Sequence, residues 1–190
     1  MLADPLSHVF RPRATIEPDG TVEGYASLFG EIDQARDMVM RGAFADTLVT
    51  RGIRRIPMLF QHDPSEPIGI WQELIEDWRG LRVRGKLIPD VMRARELLAL
   101  MKEGAADGLS IGFKTVKAKL DPKTRIRRLM QIELWEISIV TFPLLPGARV
   151  RAVKQARPSP LAAPARARKP DELTREVHEL FRGARRKSWR

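Results

Sequence analysis

Residues 107–142 read DGLSIGFKTVKAKLDPKTRIRRLMQIELWEISIVTF. On either side of DPKT the run is dense in Ile, Val, Leu, Phe and Thr, residue types that suit a half-buried pleated surface. DPKT itself carries Asp121 and Pro122, which favour turn initiation. The stretch therefore predicts two long strands joined by a turn, and with them a mainly β domain.

Moving outward, HVFRPRATIE and VEGYASLF flank PDGT, whose Asp19-Gly20 pair is a strong hairpin signal. RRIPMLFQ, PIGIWQELIE and LRVRGKLI predict further strands. RGAFADTLVTRG and PDVMRARELLALMKEG predict helices, the second with Val91, Ala94, Leu97, Leu98 and Met101 on one face and Gly104 at its end. IDQARDMVMRGAF reads as a structural loop and helix start, and Trp71, Trp78 and Trp135 as packing in the core or at its rim. Six or more strands with two helices predict an α+β fold dominated by β: a sheet rolled up or closed into a small barrel, with the helices outside.

Composition narrows the chemistry. In 190 residues, 43% of them hydrophobic, there is enough apolar surface for one well-formed core. The chain has no cysteine, which removes disulfides, thiolate catalysis and Cys-based zinc sites together. Its three scattered histidines argue against a metal cluster, so neither a metal nor another cofactor is expected. No run approaches the roughly eighteen apolar residues of a membrane span, and MLADPLSHVFRPR lacks the apolar centre of a signal peptide. A membrane partner is not expected.

The formal net charge of +10 is unevenly spread, +8 in residues 151–190 against +2 in residues 1–150. Composition changes at the same place. The predicted organisation is a globular domain over 1–153, a Pro/Ala/Arg-rich linker over 154–170, and a basic amphipathic helix over 171–190. In that last segment Asp171 can cap the start, Leu173, Val177, Leu180 and Phe181 repeat at helical spacing, and Gly183 can stop it. His178 is read there as a surface residue. The tail is expected to act as a docking element and to be self-cleaved within PSPLAAPARA.

Three places in the body carry chemical interest. His62 in LFQHDPSEP closes a strand and enters a loop bounded by Pro64 and Pro67, where it is either solvated or held at a rim. Ser110 lies in DGLSIGF with Gly108 and Gly112 close by, so backbone or ligand can approach it. Glu136 sits in an apolar strand, on the alternating face expected for Leu134, Ser138 and Val140, and needs either a solvated edge or a buried partner. Serine, histidine and a carboxylate are the components of nucleophilic acyl transfer, because the hydroxyl needs a base and the base needs an orienting group. Spacing alone does not establish such a triad.

EGYASLFGEIDQARDMVMRGAFADTL, IPMLFQHDPSEPIGIW, GLRVRGKLI, ADGLSIGF and ELWEISIVTFPLLPGARV occur in order, and together they resemble the prohead (capsid maturation) proteases of tailed phages of the HK97 type. The resemblance covers about residues 10–155. It implies a serine endopeptidase related in fold to the herpesvirus assembly proteases, a small barrel flanked by helices. It places the family's histidine at His62 and its serine at Ser110. The third member is a histidine in the herpesvirus relatives, and this chain has none between His62 and His178. Glu136 is the carboxylate best placed in the corresponding strand, with Glu133 and Asp63 as rivals. The loop PLLPGARV would supply oxyanion donors, with backbone amides near Gly147 and Arg149 as candidates. QAR stands where family members often carry Gly or Ser.

The resemblance further implies scaffold, or the N-terminal extension of the major capsid protein, as substrate, along with the protease itself. It implies action inside the assembling procapsid in the bacterial host cytoplasm, and leaves homo-oligomerisation open. The alternative reading is a non-enzymatic basic factor for DNA packaging or scaffold binding, supported by the charge of the tail. Against nucleic-acid contact, the tail holds only Phe181 and Trp189 as aromatics and follows no recognised nucleic-acid module. An inactive protease serving as scaffold would not need both His62 and Ser110.

Overall fold

The computed structural model of the chain describes residues 19–151. In chain order the elements are β1 (Thr21–Leu28), β2 (Asp37–Val39), α1 (Ala45–Thr50), β3 (Met58–Phe60), β4 (Asp63–Glu76), β5 (Gly80–Leu87), α2 (Met92–Lys102), β6 (Gly108–Leu120), β7 (Arg127–Val140) and β8 (Val150–Arg151). All eight strands belong to one sheet, running β6-β7-β3-β4-β5-β1-β8, with β2 on the same side of β7 as β3. The pairs β2/β7 and β3/β7 are parallel and the others antiparallel.

The two ends of this order meet. Gly108 bridges Arg149, Leu109 N–H donates to Ala148 O at 2.9 Å, and Val150 N–H donates to Asp107 O at 2.8 Å. The sheet thus curls into a nearly closed barrel, as the strand count predicted. Its core is filled by Met58, Ile68, Leu81, Leu87, Leu109, Leu129, Ile132, Leu134 and Ile137, each no more than 1% exposed. The helix α2 lies against β4 and β5 and buries Ala94, Leu97 and Met101 at three- and four-residue spacing. Gly104, at φ +77°, provides the left-handed residue just beyond it.

The edge of β7 opposite β6 is covered along its length, which keeps unpaired backbone groups out of the interior. Residues Arg127–Leu129 pair with β2 and Ile137–Ile139 with β3. Between them the start of α1 takes over. Ile132 N–H donates to Ala43 O at 3.0 Å, the Thr47 hydroxyl donates to Ile132 O at 2.8 Å, and Leu134 N–H donates to Thr47 Oγ1 at 3.2 Å. One buried threonine side chain therefore stands in for a strand.

Within β6/β7 the register shifts. Gly112 faces Glu136 and Phe113 faces Leu134, so Trp135 is the extra residue of a β-bulge. A one-residue slip exchanges the faces of a strand. Leu134, Ile137 and Ile139 all enter the core, while Glu136 and Ser138 face the other side. The expected common face of Leu134 and Glu136 is corrected by that bulge.

Other boundaries also differ. RRIPMLFQ gives a 3-10 turn at Ile53–Arg55 and only three residues of β3, because β7 and β4 pair only with Met58–Phe60. β4 begins at Asp63 rather than Pro67, and IDQARDMVMRGAF contains β2. Trp71 is buried as expected, but Trp135 is 48% exposed on its bulge and Trp78 is 78% exposed in the β4–β5 turn. HVFRPRATIE, the linker, the C-terminal helix and His178 lie outside the described residues.

Thr47→Val would remove the hydroxyl while keeping the shape, leaving Ile132 C=O and Leu134 N–H unpaired in a dry place. A loss of about 1–3 kcal/mol in urea unfolding is expected, with the m-value unchanged.

Candidate active site

The strands β3 and β4 are joined by Gln61 and His62 alone, since Phe60 pairs with Asp63. Both have positive φ, +53° and +62°, as in a tight type I′ turn. Such turns favour Asn and Gly, so two bulky residues here must be held by their surroundings. Gln61 N–H donates to Ile139 O at 3.1 Å, Gln61 Nε2 donates to Thr141 Oγ1 at 2.7 Å, and His62 N–H donates to Ser138 Oγ at 3.1 Å. All three anchors come from the end of β7 and the residue after it.

Pinned in this way, the His62 ring reaches both neighbours on the outer face of the hairpin. His62 Nε2 is 2.9 Å from Ser110 Oγ, and His62 Nδ1 is 2.6 Å from Glu136 Oε1. The tautomer that satisfies both contacts carries its proton on Nδ1, donated to the carboxylate, and leaves the Nε2 lone pair toward the serine hydroxyl. Ser110 is 6% exposed. The Glu136 side chain is 13% exposed and that of His62 42%, so a dry serine and carboxylate are bridged by a ring open to solvent.

Two further residues support Glu136. Ser138, fully buried and directly opposite Ser110 in the ladder, donates its hydroxyl to Glu136 Oε2 at 2.6 Å while accepting the His62 amide. Gly112 pairs with Glu136, and a Cβ built on it would collide with Glu136 Oε1. At Gly112 the close approach is therefore made by the Glu136 carboxylate. Sequence reasoning placed Ser138 on Glu136's face but gave it no role; a serine amid Ile137, Ile139 and Val140 was the available signal.

The rival carboxylates lie elsewhere. Glu133 pairs with Arg51 at 3.1 Å. Asp63 accepts the Ser65 amide at 2.8 Å and hydroxyl at 2.6 Å, bonds that cap the turn and lower its pKa. The loop holding Gly147 and Arg149 runs beside β6 through the Gly108–Arg149 bridge. The Arg149 side chain is tied to Asp107 and to Pro146 O, so only its backbone amide is available for other work. Among the described residues neither the Gly147 nor the Arg149 amide is used in a hydrogen bond. No group of His, Asp and Glu suited to a metal ion occurs among the described residues, and none of their helices is long and apolar enough to cross a membrane.

The His62 pKa is raised above its ordinary 6.5, chiefly by the hydrogen bond to Glu136, with burial pulling the other way. A histidine whose pKa is raised in the folded state stabilises the fold below its unfolded pKa, and that contribution is lost as pH rises through the folded value.

The profile of the family described as Caudovirus prohead serine protease matches residues 11–159. The chain is 40% identical over 138 residues to the prohead protease of Enterobacteria phage HK97, covering 71% of this chain and 60% of that protein. It is 28% identical over 123 residues to the prohead protease of Escherichia phage T5, covering 64% and 57%. The chain thus spans about three fifths of the length of these relatives. Among solved structures the bacteriophage T4 capsid assembly protease superposes with a TM-score of 0.53 at 14% identity, covering 65% of this chain and 82% of that one, a likeness of fold.

In an NMR titration His62 should give a pKa above 6.5. Glu136→Gln should bring it down, and so should Gly112→Ala, whose methyl displaces the carboxylate from the ring. Unchanged values in both variants would mean that Glu136 does not set the charge of His62.

Proposed function

The chain belongs to the Caudovirus prohead serine protease family, and on that premise we propose that it is a serine endopeptidase in which Ser110 is the nucleophile, His62 the base and Glu136 the group that orients the base. The observation that carries this reading is the continuous hydrogen-bond chain from Ser110 Oγ through both ring nitrogens of His62 to Glu136.

His62 Nε2 accepts the Ser110 proton as Oγ attacks the peptide carbonyl carbon, and Glu136 stabilises the imidazolium that forms. Negative charge then appears on the carbonyl oxygen. The unused amides of Gly147 and Arg149 are the donors we assign to it, and losing one such donor typically costs about 3 kcal/mol. The imidazolium gives its proton to the leaving amine, the C–N bond breaks, and water activated by the same histidine hydrolyses the acyl-enzyme. Ser138 is a positioning residue, since it holds the His62 backbone and one Glu136 oxygen at once.

The substrates proposed are scaffold or the N-terminal extension of the major capsid protein, together with the chain itself. Confinement within the procapsid would supply them at high effective concentration.

Purified Ser110→Ala and His62→Ala should fold normally and leave capsid precursor uncut. Glu136→Gln should lower kcat by roughly a hundredfold or more, whereas Glu133→Gln should be nearly silent. Ser138→Ala should lower kcat with KM little changed and shift the acid limb of the pH profile. Wild-type cleavage by Ser110→Ala would overturn the assignment.

A further inference from the structure

The outer face of the β6/β7 hairpin continues well past the proposed triad. In the ladder Ser110 stands opposite Ser138, Gly112 opposite Glu136, Lys114 opposite Glu133, Lys117 opposite Gln131 and Lys119 opposite Arg128. Residues directly opposite in an antiparallel pair project from the same side. Val116 is an extra residue between Thr115 and Lys117, so all these members of β6 share one face. From Ser110 to Lys119 that face runs about 30 Å along the strand.

Its far end is basic. Residues 114–128 hold seven Lys and Arg against one carboxylate, Asp121. Arg127 pairs with Asp37. Lys114, Lys117, Lys119, Lys123, Arg125 and Arg128 are exposed and form no ion pair among the described residues. Asp121 spends Oδ1 on the turn, accepting the Lys123 amide at 2.9 Å and the Thr124 amide at 3.1 Å. Arg36, from the loop before β2, donates to Thr124 O and adds another cation. A recess of about 280 Å³ at the tip is lined by Lys119, Lys123 and Arg128 together with Leu120, Asp121 and Pro122.

Lysines on an edge strand discourage pairing with another sheet, which accounts for Lys117 and Lys119. It does not account for Arg128, because β7 has β6 on one edge there and Met38 of β2 on the other. Like charges directly opposite destabilise a ladder, and Lys119 with Arg128 is such a pair. Arg125 has φ +58°, a conformation that glycine or asparagine adopts with less strain. Ladder and turn both give up a local preference to a cation, and an anion bound on this face would compensate them.

Resting on the serine-peptidase reading above, we propose that this basic face is an exosite that docks an acidic stretch of the polypeptide being cut, about nine residues or more from the scissile bond in an extended chain. A polypeptide is favoured over nucleic acid by the continuity of the face with Ser110 and by the lining of the recess, which offers no aromatic ring on which a base could stack. Docking there holds the substrate near Ser110 without touching the reacting bond. It raises the effective concentration of that bond, so its effect belongs in KM and not in kcat.

The test uses the full chain carrying Lys119→Glu with Arg128→Glu, set against Arg185→Glu with Arg186→Glu, an equal reversal of charge in the C-terminal segment. Binding of a fluorescent oligoglutamate peptide and of a short DNA duplex is measured alongside capsid-precursor cleavage and fluorophosphonate labelling of Ser110. The hairpin variant should bind oligoglutamate roughly tenfold more weakly. It should raise KM for the precursor several-fold, with kcat and labelling rate unchanged, while the C-terminal variant keeps the wild-type KM. Lys119→Gln with Arg128→Gln, which removes charge without adding any, should act in the same direction to a smaller extent. An unchanged KM and oligoglutamate affinity in the hairpin variant would overturn the exosite while leaving the peptidase reading intact, and so would a labelling rate that falls with the loss of cleavage. A duplex that binds more tightly than oligoglutamate and is lost in the hairpin variant would also overturn it, giving the face to phosphate instead. If wild-type Ser110 takes no label and the precursor stays uncut, the peptidase reading falls and the exosite falls with it.

Discussion

One unpaired residue in β7 decides which side chains the hairpin sends inward. Strand side chains alternate with period two. Without Trp135 as a bulge, Leu134 and Glu136 would share a face and the core would have to take a carboxylate or give up a leucine. With it, Ile132 and Leu134 fill the core before the bulge and Ile137 and Ile139 after it, while Glu136 and Ser138 turn outward beside Ser110. The unpaired Trp135 sits half exposed, a modest consequence for satisfying the interior and the site together.

The second constraint follows from the first. A left-handed histidine in a two-residue turn costs about 1 kcal/mol or more, and it persists only where contacts over-determine it. The anchors that do so come from Ser138, Ile139 and Thr141, the segment whose orientation the bulge has set. Ser138 belongs to both arrangements: its hydroxyl fixes the turn through the His62 amide and the carboxylate through Glu136 Oε2. The positions of His62 and Glu136 are thus coupled through one buried hydroxyl, so disturbing either element disturbs both.

These two devices also explain what the sequence could and could not disclose. Strand existence was legible where apolar density was high, as in β5, β6 and β7, and α2 was legible from its three- and four-residue spacing through to Gly104. The bulge was not, because a register shift depends on which partner residue lies opposite, and that is a property of two strands together. The left-handed turn was also hidden, since Gln-His carries none of the Asn-Gly chemistry by which such turns are recognised. The short β2 and β3 exist because β7 offers an edge that needs covering, a tertiary demand with little local trace. Ser110, His62 and Glu136 could be singled out by residue type and by family resemblance, but their approach to one another depends on the bulge and the turn.

The carboxylates around the site then sort by partner. Glu133 has Arg51, Asp37 has Arg127 and Asp107 has Arg149, so each contributes a dipole rather than a bare charge to its surroundings. Glu136 instead has a histidine, a partner whose charge changes near neutral pH. Replacing that ring by a permanent cation would make the pairing independent of pH. Asp33 accepts the Asp37 amide and lies in the field of Arg127, which works against the rise in its pKa that burial causes. Fixed charges are therefore cancelled where they would only serve the fold, whereas the carboxylate beside Ser110 is shared with a titrating ring.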